Sequence, residues 1–465
     1  MDPVEDVLGL TAGYAAQFLS SLDERPVRPS ASFETLLDAF GGTLPDEGSE
    51  DAQVVADLVA AAEPGVVGTQ TGRYFGFVIG SALPAAVAAD WLATAWDQNG
   101  FSVVTSPAAA AVEDVAARWT AELLGVPGDV SGGFVTGAQG ANTTALAAAR
   151  QHVLARAGWD VGREGLNGAP HVRVLAGAER HVTIDRSLRL LGLGTACLEL
   201  VPADRQGRML ARALREVLAA GDRPAIVCAQ AGNVNTGAFD PLDEVADACE
   251  EVGAWLHVDG AFGLWAAASP RYRHLVAGSE RADSWGTDAH KWLNVPYDSG
   301  LVFCRHADAH AESMAVSASY LQRGGGRSPS DWVPESSRRA RGFAVWAALR
   351  ALGRSGVADL VDRCCAHARA FAELLGAQAD VEILNEVVLN QVLVRFGDDD
   401  ATTREVVRRV QEGGTCWLGA TDWQGRAAMR ISVSSFRTTA HDVERSVAAI
   451  LEAAGAVRHA SAHAS

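Results

Sequence analysis

Short apolar runs alternate with helical segments through the middle of the chain. Between about residues 80 and 305, runs rich in Val, Ile or Leu end in Gly, Asp or another polar residue: GGFVTG, HVRVLAG, RPAIVCAQ, AWLHVDG and GLVFCR. Continuous apolar runs separated by helices are typical of strands that are buried on both faces of a parallel sheet. The pattern therefore predicts an α/β domain with a mostly parallel sheet, whose functional residues lie at the ends of strands.

The two ends of the chain have different patterns. Residues 1–65 predict helices broken by proline-containing turns, and GGGRSPSDW at 324–332 predicts an exposed flexible loop before a long helical segment. From about residue 356 the pattern becomes α+β, with helices followed by VEILNEVVLNQVLVRF and AAMRISVSSF. We therefore expect an N-terminal helical segment (1–75), a large α/β domain (76–355) and a small C-terminal α+β domain (356–465).

Composition and charge limit the classes of partner. A chain of 465 residues can bury a large core and form more than one domain. Its net charge of −18 argues against a nucleic-acid or anionic-membrane partner. Every long apolar stretch is interrupted by Asp, Arg or Glu, and the acidic N-terminus lacks a signal-peptide pattern. We expect no nucleic-acid partner and no membrane association.

The cysteines indicate the compartment. Seven are scattered along the chain, and none forms a C-x-x-C pair. An odd number without such pairs predicts neither a disulfide framework nor a zinc site, and the histidines also lack metal-ligand spacing. We therefore expect no metal and a reducing, cytoplasmic location.

Lys291, in DSWGTDAHKWLNVPYDSG, is the only lysine among 39 basic residues. Arginine can replace lysine in solvation or loose ion pairing, but its guanidinium stays protonated and cannot condense with an aldehyde. A partly desolvated lysine amine can lose its proton and form a Schiff base. The alternative is a stray surface lysine, but Lys291 lies among small and aromatic residues rather than in a charged run. The sequence therefore favours a covalent role.

A carboxylate and a glycine-containing turn extend this chemistry. Asp259 ends the apolar run AWLHVDG and is followed by Gly260 and Ala261. It is either a helix cap or structural ion pair, or the group that keeps a pyridine nitrogen protonated beside a flat ring. GGFVTGAQGANTTALAAAR predicts a strand, a turn and a helix whose N-terminus attracts an anion. Together with Lys291 and Asp259, a cofactor phosphate is the favoured anion.

Three further polar residues follow apolar runs. His181 is a candidate for stacking on a ring or for proton transfer, although a lone histidine is more often structural. Asn233 lies near the start of a polar turn, and His290, beside Lys291, is a candidate phosphate donor.

The order of these motifs resembles that of the pyridoxal-phosphate-dependent group II amino-acid decarboxylases, the aromatic-amino-acid and glutamate decarboxylase family. TGAQGAN, RHVTID, AGNVNTGAFDP, HVDGAFG and DAHKWLNVPYD carry the resemblance, and RYFGFVIGSALP, NGFSVVTSP and SRRARGFAVWAALRALG match further segments. The most specific part is HVDxA with HKW downstream. The resemblance implies fold-type I, pyridoxal phosphate as cofactor, a dimer-forming N-terminal segment, and a tight homodimer with active sites at the subunit interface.

The resemblance also implies roles for matching residues. Lys291 binds the cofactor as a Schiff base, Asp259 pairs with the pyridine nitrogen, and His181 and Ala261 lie on opposite faces of the ring. The other positions that the resemblance assigns are Gly137, Ala138, Gln139, Asn233, Asp288 and His290 for cofactor binding, and Phe77, Ser81, Asn99 and Phe101 for the substrate pocket. Asn99 and Phe101 match residues that reach into the neighbouring subunit.

Three positions depart from the family pattern. Gln139 replaces the usual small hydroxyl residue, and Asn99 is polar where aromatic-substrate enzymes tend to be apolar. The family's mobile loop carries a tyrosine thought to protonate the substrate carbon after CO₂ leaves. Here the loop between Tyr320 and Trp332 is shorter, and no tyrosine follows Tyr320. Either a water, His181 or Tyr320 delivers this proton, or side reactions accompany slow decarboxylation.

We therefore expect decarboxylation of an L-amino acid to the amine and CO₂, with Lys291, His181 and Asp259 as catalytic residues. Transamination, aldol-type cleavage and decarboxylation-dependent oxidative deamination are alternatives on the same cofactor. A non-catalytic homologue that serves as an interaction subunit is a further alternative, against which the retained lysine argues. The sequence leaves the substrate amino acid open.

Overall fold

The computed structural model describes residues 3–316 and 328–462 of the chain. It divides into two compact units. The large unit contains Gly80–Arg369 and Leu384–Leu393, and the small unit contains Met1–Ile79, Ala370–Ile383 and Val394–Ser465. The three-part domain division expected from the sequence stays a prediction.

A seven-stranded sheet forms the centre of the large unit. Its strands are β1 (Ser131–Val135), β2 (Arg173–Gly177), β3 (Leu198–Val201), β4 (Ala225–Gln230), β5 (Trp255–Asp259), β6 (Ser284–Asp288) and β7 (Gly300–Cys304). Their order is β1-β7-β6-β5-β4-β2-β3; β7 runs antiparallel to β1 and β6, and the other neighbouring pairs are parallel. This confirms the predicted α/β class with a mostly parallel sheet.

The five apolar runs form β1, β2, β4, β5 and β7, whereas β3 and β6 were not anticipated. The β6 sequence SWGTD contains few branched apolar residues, although all five of its residues are buried. A strand made of such residues carries little apolar periodicity, so its position depends on the neighbouring strands.

Helices flank the sheet and fill the ends of the chain. They are α1 (Pro3–Ser20), α2 (Phe33–Phe40), α3 (Asp51–Ala62), α4 (Pro84–Trp96), α5 (Pro107–Leu124), α6 (Ala138–Arg156), α7 (Val161–Glu164), α8 (Thr183–Leu190), α9 (Ala211–Ala219), α10 (Leu242–Val252), α11 (Ala307–Met314), α12 (Gly342–Gly376), α13 (Asp400–Gly413) and α14 (Ala440–Ala462). The first three confirm the helices predicted for residues 1–65, and α12 is broken at Gly353, where φ is +62°. Among the described residues, no helix combines the length and apolar character needed to cross a bilayer.

Part of the loop predicted at 324–332 lies outside the described residues, and so does Tyr320. Its described end contains a short 3₁₀ helix, Pro329–Trp332, and both Ser328 and Pro329 are buried. The expectation of an exposed loop is therefore wrong for this end, because the side chains there pack into the protein.

A second sheet follows the α+β pattern predicted after residue 356. Its strands β8 (Val381–Ile383), β9 (Gln391–Phe396), β10 (Gly419–Trp423) and β11 (Arg426–Ser432) have the order β10-β11-β9-β8. The β8–β9 and β10–β11 pairs are antiparallel.

The cysteines are free thiols inside the protein. All seven are buried, and burial raises the pKa of each thiol. Such thiols are poor nucleophiles while the fold stays closed.

Candidate active site

The candidate residues of the large unit gather at one edge of its sheet. Parallel strands β1, β2, β4, β5 and β6 have their carboxyl ends at this edge, where ligands bind in open α/β sheets. Gly137, His181, Asn233 and Lys291 follow β1, β2, β4 and β6, and Asp259 is the last residue of β5. The antiparallel β7 begins at the same edge.

Lys291 lies in the turn that follows β6. Its Nζ atom is 2.9 Å from Asp288 Oδ2, and the side chain is 20% exposed. The turn packs closely against the segment before α4, because a Cβ atom at Gly80 would lie 1.8 Å from the carbonyl oxygen of Lys291. Only glycine permits this approach of two backbones.

Asn294 ties the same turn to that segment. Its φ of +57° is in the left-handed region, which asparagine tolerates better than most residues. Its Oδ1 accepts a hydrogen bond from Ser81 N at 3.1 Å, and its carbonyl oxygen accepts one from Leu83 N at 2.8 Å. The buried Ser81, predicted as a pocket residue, thus contributes its backbone to holding the lysine turn.

The N-terminus of α6 binds a carboxylate in this structure. Gly137 is the N-cap and supplies no side chain, and Ala138 N donates to Asp288 Oδ1 at 2.6 Å. A Cβ atom at Gly137 would lie 3.1 Å from His290 Cε1 and 3.3 Å from Asp288 Oδ1. The glycine therefore keeps open a cradle at which the helix dipole favours negative charge.

His290 completes this cradle as a neutral donor. Its Nδ1 accepts a hydrogen bond from Ser299 N at 3.1 Å, so the ring proton lies on Nε2, 3.6 Å from Asp288 Oδ1. Burial lowers the pKa of His290, which keeps the ring uncharged near neutral pH.

Gln139 points its amide at α8. Nε2 donates to Ser187 Oγ at 3.0 Å and to Thr183 O at 3.3 Å. Its Oε1 is buried with no hydrogen-bond partner among the described residues. The side chain that replaces the family's small hydroxyl thus links α6 to the helix that follows His181.

Asp259 is a buried carboxylate held by two N–H groups. Its Oδ2 accepts from Asn142 Nδ2 at 3.0 Å and its Oδ1 accepts from Ala261 N at 3.3 Å. The residue is 5% exposed, and no described cationic side chain forms an ion pair with it. Hydrogen bonds to the ionised form favour the charge, yet a buried charge is costly without an opposite one. A protonated ring nitrogen would supply that charge.

His181 is half-buried and oriented by Thr183. Its Nδ1 is 3.0 Å from Thr183 Oγ1 and accepts from Thr183 N at 3.3 Å. Thr183 Oγ1 in turn accepts from Asn142 Nδ2 at 3.1 Å. With Nδ1 as an acceptor, the neutral ring carries its proton on Nε2.

Sequence reasoning missed Asn142 and His257. His257 Nε2 is 3.0 Å from Asn142 Oδ1, and its Nδ1 is 3.0 Å from Ser284 Oγ. One signal was present, because residues two apart in a strand share a face, so His257 lies on the same side of β5 as Asp259. Asn142 stands inside the TGAQGAN turn motif but carries no such periodic signal.

The remaining candidates have mainly structural contacts. Asn233 Oδ1 accepts from Asn235 N and Thr236 N at 2.9 and 3.1 Å, and its Nδ2 donates to Glu179 O at 3.0 Å. This arrangement closes a turn and holds the loop that leads to His181.

The three other predicted pocket residues are held by local contacts. Asn99 Oδ1 accepts from Arg338 N at 3.0 Å, and the carbonyl of Phe101 accepts from Ser330 N at 3.1 Å. Phe77 belongs to the small unit, is 62% exposed and stacks on Trp417 with ring centroids 5.1 Å apart.

The donor set of the edge fits pyridoxal phosphate. Lys291 supplies an amine for an aldehyde, the α6 N-terminus with His290 supplies an anion cradle, and Asp259 supplies a carboxylate without a described counter-cation. The Asp288 carboxylate already accepts a hydrogen bond from Ala138 N in that cradle, so the cradle favours an anion. Within the described part of the chain, no cluster of three His, Cys, Asp or Glu side chains could hold a metal ion.

Comparison with known sequences gives consistent matches. Residues 34–396 match the model of the pyridoxal-dependent decarboxylase conserved domain. Tryptophan decarboxylase 1 from Oryza sativa subsp. japonica is 27% identical, covering 95% of this chain and 92% of the relative. The 4-hydroxyphenylacetaldehyde synthase of Rhodiola rosea is 28% identical, covering 88% of this chain and 86% of the relative.

Solved structures have the same fold. The crystal structure of Oryza sativa TDC with PLP and tryptamine matches with a TM-score of 0.91 at 25% identity, covering 98% of each chain. Mouse CSAD matches with a TM-score of 0.89 at 23% identity, covering 97% of this chain and 98% of the other.

Proposed function

The chain belongs to the pyridoxal-dependent decarboxylase family, and from this premise we propose which of its residues perform the reaction. The protein is a carboxy-lyase that uses pyridoxal phosphate to decarboxylate an amino acid. When bound, this cofactor supplies an aldehyde that condenses with amines and a ring that accepts the electron pair left when CO₂ departs.

We propose that Lys291 is the covalent anchor of the cofactor. Its amine lies at the strand edge beside Asp288, which orients Nζ at 2.9 Å. No other side chain in the sequence carries a primary amine, so no second lysine can take its place. This is the observation that carries the assignment.

We propose that Asp259 holds a proton on the ring nitrogen of the cofactor. Asp259 is buried and accepts two N–H hydrogen bonds, and a buried carboxylate needs a cationic partner. The N–H of Ala138 and the Nε2–H of His290, which both face Asp288 Oδ1 in this structure, would hold the cofactor's phosphate. His181, whose Nδ1 is held by Thr183, would lie against the ring and hold a proton on Nε2 for transfer to the substrate carbon.

We propose that the substrate side chain carries a hydrogen-bond acceptor. Asn99, which the family resemblance assigns to the substrate pocket, is polar, and its Oδ1 is engaged by Arg338 N. That bond turns the amide –NH₂ group away from Arg338, where it can donate to a ligand.

We propose a homodimer in the cytoplasm. The dimer is supported by exposed apolar side chains on the N-terminal helices, among them Leu8, Phe33, Leu37 and Leu58. The seven free, buried cysteines support a reducing compartment.

A second candidate reaction is oxidative release of an aldehyde. The substrate, O₂ and water would then give CO₂, ammonia, hydrogen peroxide and the aldehyde one carbon shorter than the substrate. The absence of any tyrosine after Tyr320 favours it, because a slowly protonated substrate carbon leaves time for oxygen to react. A similar relative from Rhodiola rosea is named an aldehyde synthase.

Two measurements test these assignments. Borohydride reduction of the holoenzyme followed by peptide mapping should place the pyridoxyl group on Lys291 alone, with Lys291→Arg as the unlabelled control. We expect Lys291→Arg to fold and to lose turnover by several orders of magnitude, because its guanidinium cannot exchange with the substrate amine. A label elsewhere, or full activity of Lys291→Arg, contradicts the anchor.

Product analysis over a panel of L-amino acids separates the two reactions. Amine and CO₂ in equal amounts identify simple decarboxylation, whereas aldehyde with peroxide under air identifies the oxidative route. The panel compares glutamate with leucine and tyrosine with phenylalanine, and only the first member of each pair has a hydrogen-bond acceptor in its side chain. A clear preference for leucine and phenylalanine would contradict a substrate with a hydrogen-bond acceptor.

A further inference from the structure

We propose that Asn142 is a positioning residue whose single amide group fixes both Asp259 and His181. The proposal rests on the roles given above to these two residues. Asn142 lies in the first turns of α6 and is fully buried. It is separated from Asp259 by 117 positions in the chain, and its contacts are made across the sheet edge.

Every hydrogen-bonding position of the Asn142 amide except one lone pair is used. Nδ2 donates to Asp259 Oδ2 at 3.0 Å and to Thr183 Oγ1 at 3.1 Å, and Oδ1 lies 3.0 Å from His257 Nε2. The opposite amide orientation would set Oδ1 against the carboxylate oxygen. The surroundings therefore permit one orientation of this group.

A hydrogen-bond chain behind Asn142 fixes its acceptor side. Trp255 Nε1 can only donate, and it does so to Ser284 Oγ at 2.9 Å. Asn142 Oδ1 can only accept, so a neutral His257 carries its proton on Nε2 and donates it to this oxygen. The free Nδ1 of His257 then accepts the hydrogen of the Ser284 hydroxyl, 3.0 Å away.

His257 stays neutral in this chain. Burial lowers its pKa to about 4, against a smaller opposing effect of Asp259. A neutral histidine with its proton on Nε2 gives the chain one direction, from Trp255 to the carboxylate of Asp259.

The other branch of the amide reaches His181. Because Thr183 Oγ1 accepts from Asn142, its hydrogen is available to His181 Nδ1 at 3.0 Å. The backbone N–H of Thr183 also donates to this nitrogen. Asn142 thus orients the Asp259 carboxylate and, through the Thr183 hydroxyl, adds a second donor at His181 Nδ1 that favours the tautomer with its proton on Nε2.

The two branches can be separated by substitution. Asn142→Ala removes both, and we expect the apoenzyme to bind pyridoxal phosphate roughly ten- to hundredfold more weakly, with a lower kcat, as is usual when a donor to a buried charge is lost. Thr183→Val removes only the His181 branch, so kcat should fall while cofactor affinity and KM stay unchanged. Affinity is measured by titrating apoenzyme with pyridoxal phosphate and following its absorbance.

Thr144→Val is the matched control. Thr144 is the second residue after Asn142 in α6, is fully buried, and its hydroxyl has no hydrogen-bond partner among the described residues. This isosteric change perturbs the packing of the same helix without touching the network. We expect its cofactor affinity and kcat to equal those of the parent protein and its melting temperature to be no lower, because a buried hydroxyl without a partner is costly.

A pair of changes at His257 provides a second test, which decides the matter if Asn142→Ala does not fold. His257→Gln keeps a neutral N–H donor for Asn142 Oδ1, and His257→Leu removes it. We expect the glutamine variant to keep the parent's cofactor affinity and the leucine variant to lose it as Asn142→Ala does. Equal affinities for both His257 variants and the parent would overturn the positioning role.

Asp259→Asn separates this proposal from the one on which it rests. If Asp259→Asn leaves cofactor affinity and kcat unchanged, the role of Asp259 itself is wrong. If Asp259→Asn is impaired while Asn142→Ala and His257→Leu match the parent, only the positioning role of Asn142 fails. An equal loss of cofactor affinity in Thr183→Val and Asn142→Ala would also overturn it, because the branches would not be independent.

Discussion

At the scale of single residues, the buried His257 makes stability depend on pH. Its pKa in the folded protein is about 4, whereas the unfolded chain has the ordinary value of 6.5. Between these values the unfolded state binds a proton that the folded state does not. The contribution is therefore fully present above pH 6.5 and is lost as the pH falls toward 4, at up to about 1.4 kcal/mol per pH unit.

His257→Gln removes this contribution and leaves the other histidines in place. We expect the urea midpoint of the parent to fall more between pH 7 and pH 5 than that of the variant. Since both proteins share every other titrating group, the difference isolates His257. Parallel pH profiles would mean that His257 is protonated at equal pH in the folded and unfolded states.

Which residues the sequence could identify depended on local signals. Lys291 was identifiable because it is the single lysine, and Asp259 because it ends an apolar strand. Asn142 was not, because its proposed role rests on hydrogen bonds to Asp259 and Thr183, which are 117 and 41 positions away. No periodicity along the chain reports such contacts, so they appear only once the sheet has assembled.

At the scale of elements, the turn after β6 depends on a glycine in another segment. Gly80→Ala would introduce a Cβ atom 1.8 Å from the carbonyl oxygen of Lys291. That oxygen is backbone and cannot move alone, so the turn carrying the lysine must shift. We expect a loss of about 2 kcal/mol or more of stability together with a lower cofactor content.

Gly128→Ala is the control for this change, because its added Cβ meets no atom within 4 Å. Melting temperature and cofactor absorbance of the purified proteins provide the measurement. A Gly80→Ala protein that matches Gly128→Ala in both would show that the two segments do not pack as closely as this structure has them.

Strands were predictable where burial coincided with branched apolar residues. β2 and β4 are such strands, and both were anticipated from VRVLAG and AIVCAQ. β6 is equally buried but reads SWGTD, and its polar side chains include Asp288, which contacts Lys291. A strand that ends in candidate site residues such as Asp288 therefore lacks part of the apolar pattern by which strands are recognised.

At the scale of the whole molecule, α2 is an amphipathic helix without a buried side in this chain. Phe33, Leu37 and Phe40 lie on one face at i, i+4 and i+7 and are 70%, 55% and 55% exposed. No residue of α2 is buried. An exposed apolar stripe of this kind marks an association surface, and we expect it to lie in the proposed dimer interface.

Leu37→Glu should therefore produce monomers, whereas Ala39→Glu, which adds the same charge to another exposed position of α2, should leave the dimer intact. Sedimentation velocity measures the oligomeric state. We also expect the Leu37→Glu monomer to lose activity, because the family resemblance implies a pocket to which the neighbouring subunit contributes. A Leu37→Glu protein that stays dimeric would place the interface elsewhere.

Because the seven thiols are buried, the rate at which they react reports how often the native structure opens around them. An alkylating reagent can reach them only when the surrounding structure opens, and their raised pKa values keep the reaction slow until then. Cys416 belongs to the small unit and the other six cysteines to the large one. Mass spectrometry of labelled peptides would therefore measure the opening rate of each unit separately. The measurement needs only ordinary buffer and the protein's own sulfur atoms.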